Sequence, residues 1–111
     1  MLESLEQWEQ LLSNSDQAYC VDVFAEWCGP CRRLIPRLEE RVNKMSSGVS
    51  GNPPVILLKV NVDEFGEIAS ALGVSTIPHV FLVKGGELLD QFVGGVEDDR
   101  LDEFFAKINE D

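Results

Sequence analysis

Residues 19–25, Tyr-Cys-Val-Asp-Val-Phe-Ala, restrict the possible folds more than any other stretch of the chain. A run that is apolar at both alternating sets of positions makes a strand buried on both faces, and its sheet must then be covered on both sides. Asp22 is the one charge in that run. Two residues later comes Trp27-Cys28-Gly29-Pro30-Cys31. Proline is tolerated only in the first turn of a helix, so a helix is predicted to start just after Cys28. Leu34, Leu38 and Val42 then repeat along one face, and Arg33, Arg37 and Arg41 along another. The arginine stripe reads as a solvated face pairing with local acids such as Glu40, with a docking role as the alternative, since four of the five arginines of a chain of charge −11 lie between residues 32 and 41. Pro36 inside the helix predicts a kink.

The remaining elements follow from period and punctuation. Ser4 with Gln7 forms a candidate capping box opening a helix with Leu5, Trp8, Leu11 and Leu12 on its apolar face. The polar run Ser13-Asn14-Ser15-Asp16 ends it. Residues 46–54 are Ser, Gly, Pro and Asn around one Val, a surface loop. Residues 55–62 read as a second buried strand, followed by a short helix over 63–72 that Gly73 terminates. After Ile77-Pro78, residues 80–83 and 88–93 flank Lys84-Gly85-Gly86-Glu87 as a hairpin. The last helix, 97–108, turns Leu101, Phe104, Phe105 and Ile108 inward and carries Asp98 and Asp99 in its first turn, where the dipole favours them. Helices alternating with buried strands predict an α/β layering with parallel pairing in the middle and an antiparallel edge. With 111 residues and no repeat or linker, the chain is expected to be one domain over 1–111.

Charge removes several functions. Twenty acidic residues against nine basic ones leave −11, a poor match for phosphate backbones that need clustered Lys and Arg, so no nucleic-acid partner is expected. No apolar run approaches the eighteen or so residues of a membrane span, so no membrane partner is expected either. The acidic opening Met1-Leu2-Glu3-Ser4-Leu5-Glu6 is unlike a basic signal or transit segment, which favours the cytoplasm unless a targeting segment was removed ahead of it. A short acidic domain is expected to be a monomer.

Three cysteines, two of them spaced Cys-x-x-Cys, point to redox or metal chemistry in a reducing compartment. A structural zinc site needs four ligands, and the other Cys and His residues are Cys20, inside a strand, and the distant His79. No metal is expected. Redox chemistry gains from the placement itself. Cys28 at a helix N-terminus meets unpaired backbone N–H groups and the positive end of the dipole, which favour the attacking thiolate. Cys20 reads as a small buried hydrophobe, and His79 as a strand position beside Pro78.

The chain resembles the thioredoxins over residues 4–108. The resemblance is carried by Val21-Asp22, Trp27 to Cys31, Pro36, Lys59, Asp63, Ile77-Pro78, Gly85-Gly86 and Gly94. It implies an α/β thioredoxin fold: a central mixed sheet of four to five strands flanked by helices, with the first strand short or missing in this chain. It implies that Cys28 attacks a target disulfide and Cys31 resolves the mixed disulfide. Asp22 would be a buried carboxyl exchanging the proton of Cys31, with Lys59 as its neighbouring charge. Pro78 would be cis, and Trp27, Gly29, Pro30, Thr76, Ile77, Pro78 and Gly94 would form the substrate-binding surface. The expected function is that of a general protein-disulfide reductant with no bound cofactor. Its electrons would come ultimately from NADPH through a thioredoxin reductase, and its partners would be that reductase and disulfide-containing proteins. A disulfide isomerase or oxidant, or a redox-inert binding module, are the competing readings. The loop over 46–54 is longer than the family's usual one, and Phe24 stands where many relatives carry Trp or a small residue.

Overall fold

A computed structural model describes residues 5–13, 17–46 and 55–109. Strand β1 (Ala18–Phe24) is buried at all seven positions, as its apolar sequence demands, and lies inside the sheet. The strand order is β2-β1-β3-β4, with β2 at Val55–Asn61, β3 at His79–Lys84 and β4 at Glu87–Val93. β1 runs parallel to β2 and antiparallel to β3, and β3 and β4 form an antiparallel hairpin. Gly85 and Gly86 close that hairpin at φ +62° and +76°, the left-handed backbone that a two-residue type I′ turn requires at both positions.

The pleat of β1 divides the core in two. Ala18 and Cys20 pack with Leu34, Leu38 and Val42 of α2 (Gly29–Ser46) and with Leu101 and Phe104 of α4 (Asp98–Ala106). Tyr19, Val21 and Val23 point the other way, against Trp8 of α1 (Leu5–Leu12) and Ile68 of α3 (Gly66–Ala71). A 3-10 turn, Lys107–Asn109, follows α4 and brings Ile108 into the first of these clusters. The four expected sheet strands and their helical cover are all present among the described residues, as a mixed four-stranded sheet.

Four expectations need correction. The parallel pair stands at the sheet edge, not its middle, because β2 has no further neighbour among the described residues. For the same reason β2 is not fully buried, and Ile56 is 42% exposed. Helix α3 begins at Gly66, not near residue 63. Asn61 closes a turn ahead of it, its carbonyl accepting from the Glu64 and Phe65 N–H groups and its side-chain oxygen from that of Asp63. The arginine stripe also departs from its expected local pairing. Arg37 and Arg41 both reach Asp98, at 2.9 and 3.5 Å, and Arg41 reaches Asp102 at 3.0 Å, tying α2 to α4. Glu40 pairs with Lys44 instead. Pro36 lies within α2 without ending it. The proposed cap residue Ser4, Asn14 to Asp16 and most of the 46–54 loop lie outside the described residues, and of the α1 apolar face only Trp8 is described, as buried.

Candidate active site

The end of β1 delivers both cysteines. The Cys28 N–H closes a turn onto the Ala25 carbonyl at 3.2 Å, and the Cys28 carbonyl accepts the first helical bond of α2, from the Arg32 N–H, at 3.1 Å. Cys28 thus occupies the cap position, with Pro30 in the first turn where its missing N–H removes no helical bond. The Cys31 N–H donates to Cys28 Sγ at 3.3 Å, the bond a capping oxygen ordinarily accepts. The Cα atoms of Cys28 and Cys31 are 5.3 Å apart and their sulfurs are joined as a disulfide. Cys28 retains 6% of its surface and Cys31 none, so the first sulfur is the one a partner can reach.

Phe24, Ala25, Ile35, Val62 and Ile77 pack around the two cysteines. Opposite them, the Ile77–Pro78 peptide is cis, and the Pro78 carbonyl accepts from the Gly94 N–H at 2.8 Å. Gly94 sits at φ +82°, a backbone that glycine alone adopts without strain, so the loop after β4 is bent to meet the proline loop. Trp27 is 69% exposed, and its indole N–H donates to Asp63 Oδ2 at 3.1 Å. That bond pins a large apolar side chain at the surface, above a cleft of about 380 Å³ lined by Val62, Ala69, Val74 and Ile77. Thr76 is exposed, Gly29 half-buried, and Pro30 exposed beside the sulfurs.

Behind the cysteines lies Asp22. By alternation it shares the α2-facing side of β1 with Cys20 and with Phe24, which belongs to the same buried cluster as the two cysteines. It is fully buried, and neither carboxyl oxygen has a hydrogen-bond partner among the described residues. Burial pushes its pKa from 3.8 up to about 7, and the charge of Lys59, directly across the strand pair on β2, pulls the other way. Lys59 points its ammonium toward Glu39 at 3.9 Å, so it acts on Asp22 at a distance. Burial, reinforced by Asp22, raises Cys20 well above an ordinary thiol. His79 Nε2 is 2.9 Å from Gln91 Oε1, and the ring stacks on Phe81 at 4.2 Å. Among the described residues, no group of three or more His, Cys, Asp or Glu is arranged to hold a metal ion.

The structure therefore brings Cys28, Cys31, Trp27, Gly29, Pro30, Ile77, Pro78 and Gly94 to one end of the sheet, with Asp22 and Lys59 behind them. Asp63, noted for its place in the motif pattern, was missed as a site residue; it anchors Trp27. No sequence spacing signals that bond, since it joins residues 36 apart. Outside the reacting groups, Arg33 of the helix stripe lies over Gly29, close enough that a Cβ there would meet its Nη1 at 3.4 Å.

Fold and site together define a class: a thiol–disulfide oxidoreductase whose cysteine pair caps a helix and faces a cis-proline loop. The thioredoxin family model matches residues 1–107. The chain is 42% identical over 107 residues to "Probable thioredoxin-2" of Caenorhabditis elegans, covering 96% of this chain and 70% of that protein. It is 38% identical over 95 residues to the mitochondrial thioredoxin of Mus musculus, covering 86% of this chain and 54% of the mouse protein, about half its length. Among solved structures it is similar to Plasmodium falciparum thioredoxin, with a TM-score of 0.79 and 28% identity over 96% of this chain and 95% of that one. It is also similar to oxidised mitochondrial thioredoxin 3 of Saccharomyces cerevisiae, with a TM-score of 0.77 and 27% identity over 94% and 91% of the two chains. The chain belongs to the thioredoxin family.

Proposed function

We propose that this chain, read as one domain over 1–111, is a general protein-disulfide reductant. Family membership and the cysteine pair support protein-disulfide reductase activity. The observation that carries the reading is Cys28 Sγ at the cap of α2, bonded to Cys31, holding the Cys31 N–H at 3.3 Å and keeping some access to solvent. In the reduced protein, the same N–H and the helix dipole stabilise a Cys28 thiolate. That thiolate attacks one sulfur of a target disulfide, forms a Cys28–target bond and expels the other target sulfur as a thiolate. Cys31, its proton passed to ionised Asp22, attacks Cys28 Sγ, closes the Cys28–Cys31 disulfide and releases the second target thiolate. Two electrons pass to the target. An NADPH-dependent thioredoxin reductase returns them.

Lys59 tempers the pKa of Asp22, so the carboxyl titrates near neutral pH and can both take and return a proton. Trp27, Gly29, Pro30, Thr76, Ile77, Pro78 and Gly94 form the shallow surface on which an extended target segment lies. No bound cofactor takes part, and the protein works as a monomer. Relatives from mouse, rat and cattle are named mitochondrial, so an organelle is as open to this chain as the cytoplasm. The test is insulin disulfide reduction coupled to NADPH oxidation through a thioredoxin reductase. Sustained turnover that Cys28→Ser abolishes is expected. No turnover, or turnover surviving that substitution, would overturn the reading.

A further inference from the structure

Five arginines stand on this strongly acidic chain, four of them between residues 32 and 41. Three of the five are engaged: Arg37 and Arg41 with α4, and Arg100 in a pair of contacts with Asp90 at 2.8 and 2.9 Å. The side chains of Arg32 and Arg33 are exposed and make no ion pair or hydrogen bond among the described residues. Both follow directly on Cys31. Arg33 is the more pointed case, because its guanidinium folds back over Gly29, between the two cysteines.

Arg33 also forms one wall of a groove of about 430 Å³, together with Pro30, Leu34 and Arg37. Residues 95–97 complete the lining, with Glu97 its one acid. Arg37 adds no free charge there, since it donates to the Val96 carbonyl and to Asp98, both at 2.9 Å. The groove includes Pro30, shares no lining residue with the Trp27 cleft, and has one unengaged guanidinium in its lining.

We propose that this groove is a specificity subsite for target proteins, and that Arg33 there pairs with a carboxylate in the segment flanking the target's disulfide. The inference rests on the reductant reading above. A guanidinium presents a rigid fork of donors that matches a carboxylate in two parallel bonds, and an unengaged one already lying over the reacting loop loses little freedom on pairing. The acidic remainder of the chain sharpens the choice. At −11 it repels acidic partners everywhere except at the few places where cations stand free, so an acidic segment is directed toward Arg32 and Arg33. Arg32 adds to that local field. Arg33 makes the contact.

The experiment uses three matched disulfide-bridged peptides with Glu, Gln or Lys at the two positions on either side of one cysteine. Reduction by the full chain is followed at low salt and at high salt, with dithiothreitol as the electron source. At low salt, kcat/KM is expected to be about three- to tenfold higher for the Glu peptide than for the Gln peptide, and lowest for the Lys peptide. Arg33→Glu should erase or invert that order while leaving the Gln peptide within about twofold, and high salt should flatten it in the parent chain. An equal loss on all three peptides would mean that Arg33 acts on the cysteines and not on the target, and overturns the proposal. So would an Arg33→Glu variant with the order unchanged. Failure of the parent chain to reduce any peptide sinks the reductant reading itself, a separate outcome from loss of discrimination.

Discussion

Replacing Asp22 by Asn should change how stability varies with pH. The carboxyl titrates at 3.8 ordinarily and at about 7 when buried behind the cysteines. Below pH 3.8 the folded and unfolded chains both hold this proton, and the group costs nothing. Between 3.8 and about 7 the unfolded chain releases the proton while the folded chain keeps it, so stability falls by about 1.4 kcal/mol per pH unit. Above about 7 both are ionised and the loss is complete, about 4 kcal/mol for a gap from 3.8 to about 7. Asparagine cannot ionise. It leaves a buried amide with few partners, an offset of about 1–3 kcal/mol that does not vary with pH. The decisive quantity is therefore the slope of the difference. Guanidinium denaturation of the oxidised form, in which Cys28 and Cys31 do not titrate, should show the variant gaining about 4 kcal/mol on the parent between pH 4 and pH 8. Lys59→Gln, which removes the one charge that favours ionised Asp22, should extend the fall of stability to higher pH. A difference between the Asp22→Asn variant and the parent chain that stays flat across that range would refute the burial argument, whatever its absolute value.

Cys31→Ser should trap target proteins as mixed disulfides, and peptide mass spectrometry should find them on Cys28; trapping on Cys20 instead would refute the attacking role of Cys28. Asp90→Asn should destabilise the chain by about 1–2 kcal/mol at neutral pH, after allowance for solvent screening, because Arg100 and then the Gln91 N–H hold that carboxyl at about 2. Its stabilisation is present above pH 3.8 and is lost as pH falls through about 2, so the variant and the parent should converge in denaturation curves at acid pH. Gly94→Ala should cost about 1–2 kcal/mol by thermal melting although its methyl group would meet nothing within 4 Å, because φ +82° strains any side chain; an unchanged melting temperature would remove the strain argument.

Much of the frame could be read from local pattern. The continuous apolar run of β1, the four-residue spacing of Leu34, Leu38 and Val42, and the paired glycines of the hairpin each report a short-range preference that the fold keeps. Most of the readings that failed involve partners distant in sequence. Nothing near Val55 states that β2 will stand at an edge, and Arg37 carries no mark that Asp98, 61 residues away, is its partner. The start of α3 slipped because Asn61 makes a local turn whose strength competes with helical period over residues 62–65.

By itself the sequence determined that a strand buried on both faces leads into a helix capped by Cys28, with Cys31 one turn on, because a continuous apolar run and the position of Pro30 act over a few residues. Only the tertiary structure decided that Asp22 lies buried with no hydrogen bond among the described residues, that Lys59 faces it from the next strand, and that Gly94 and Pro78 close the site from across the sheet. These depend on register and burial, and both follow from pairings made between distant segments as the sheet assembles.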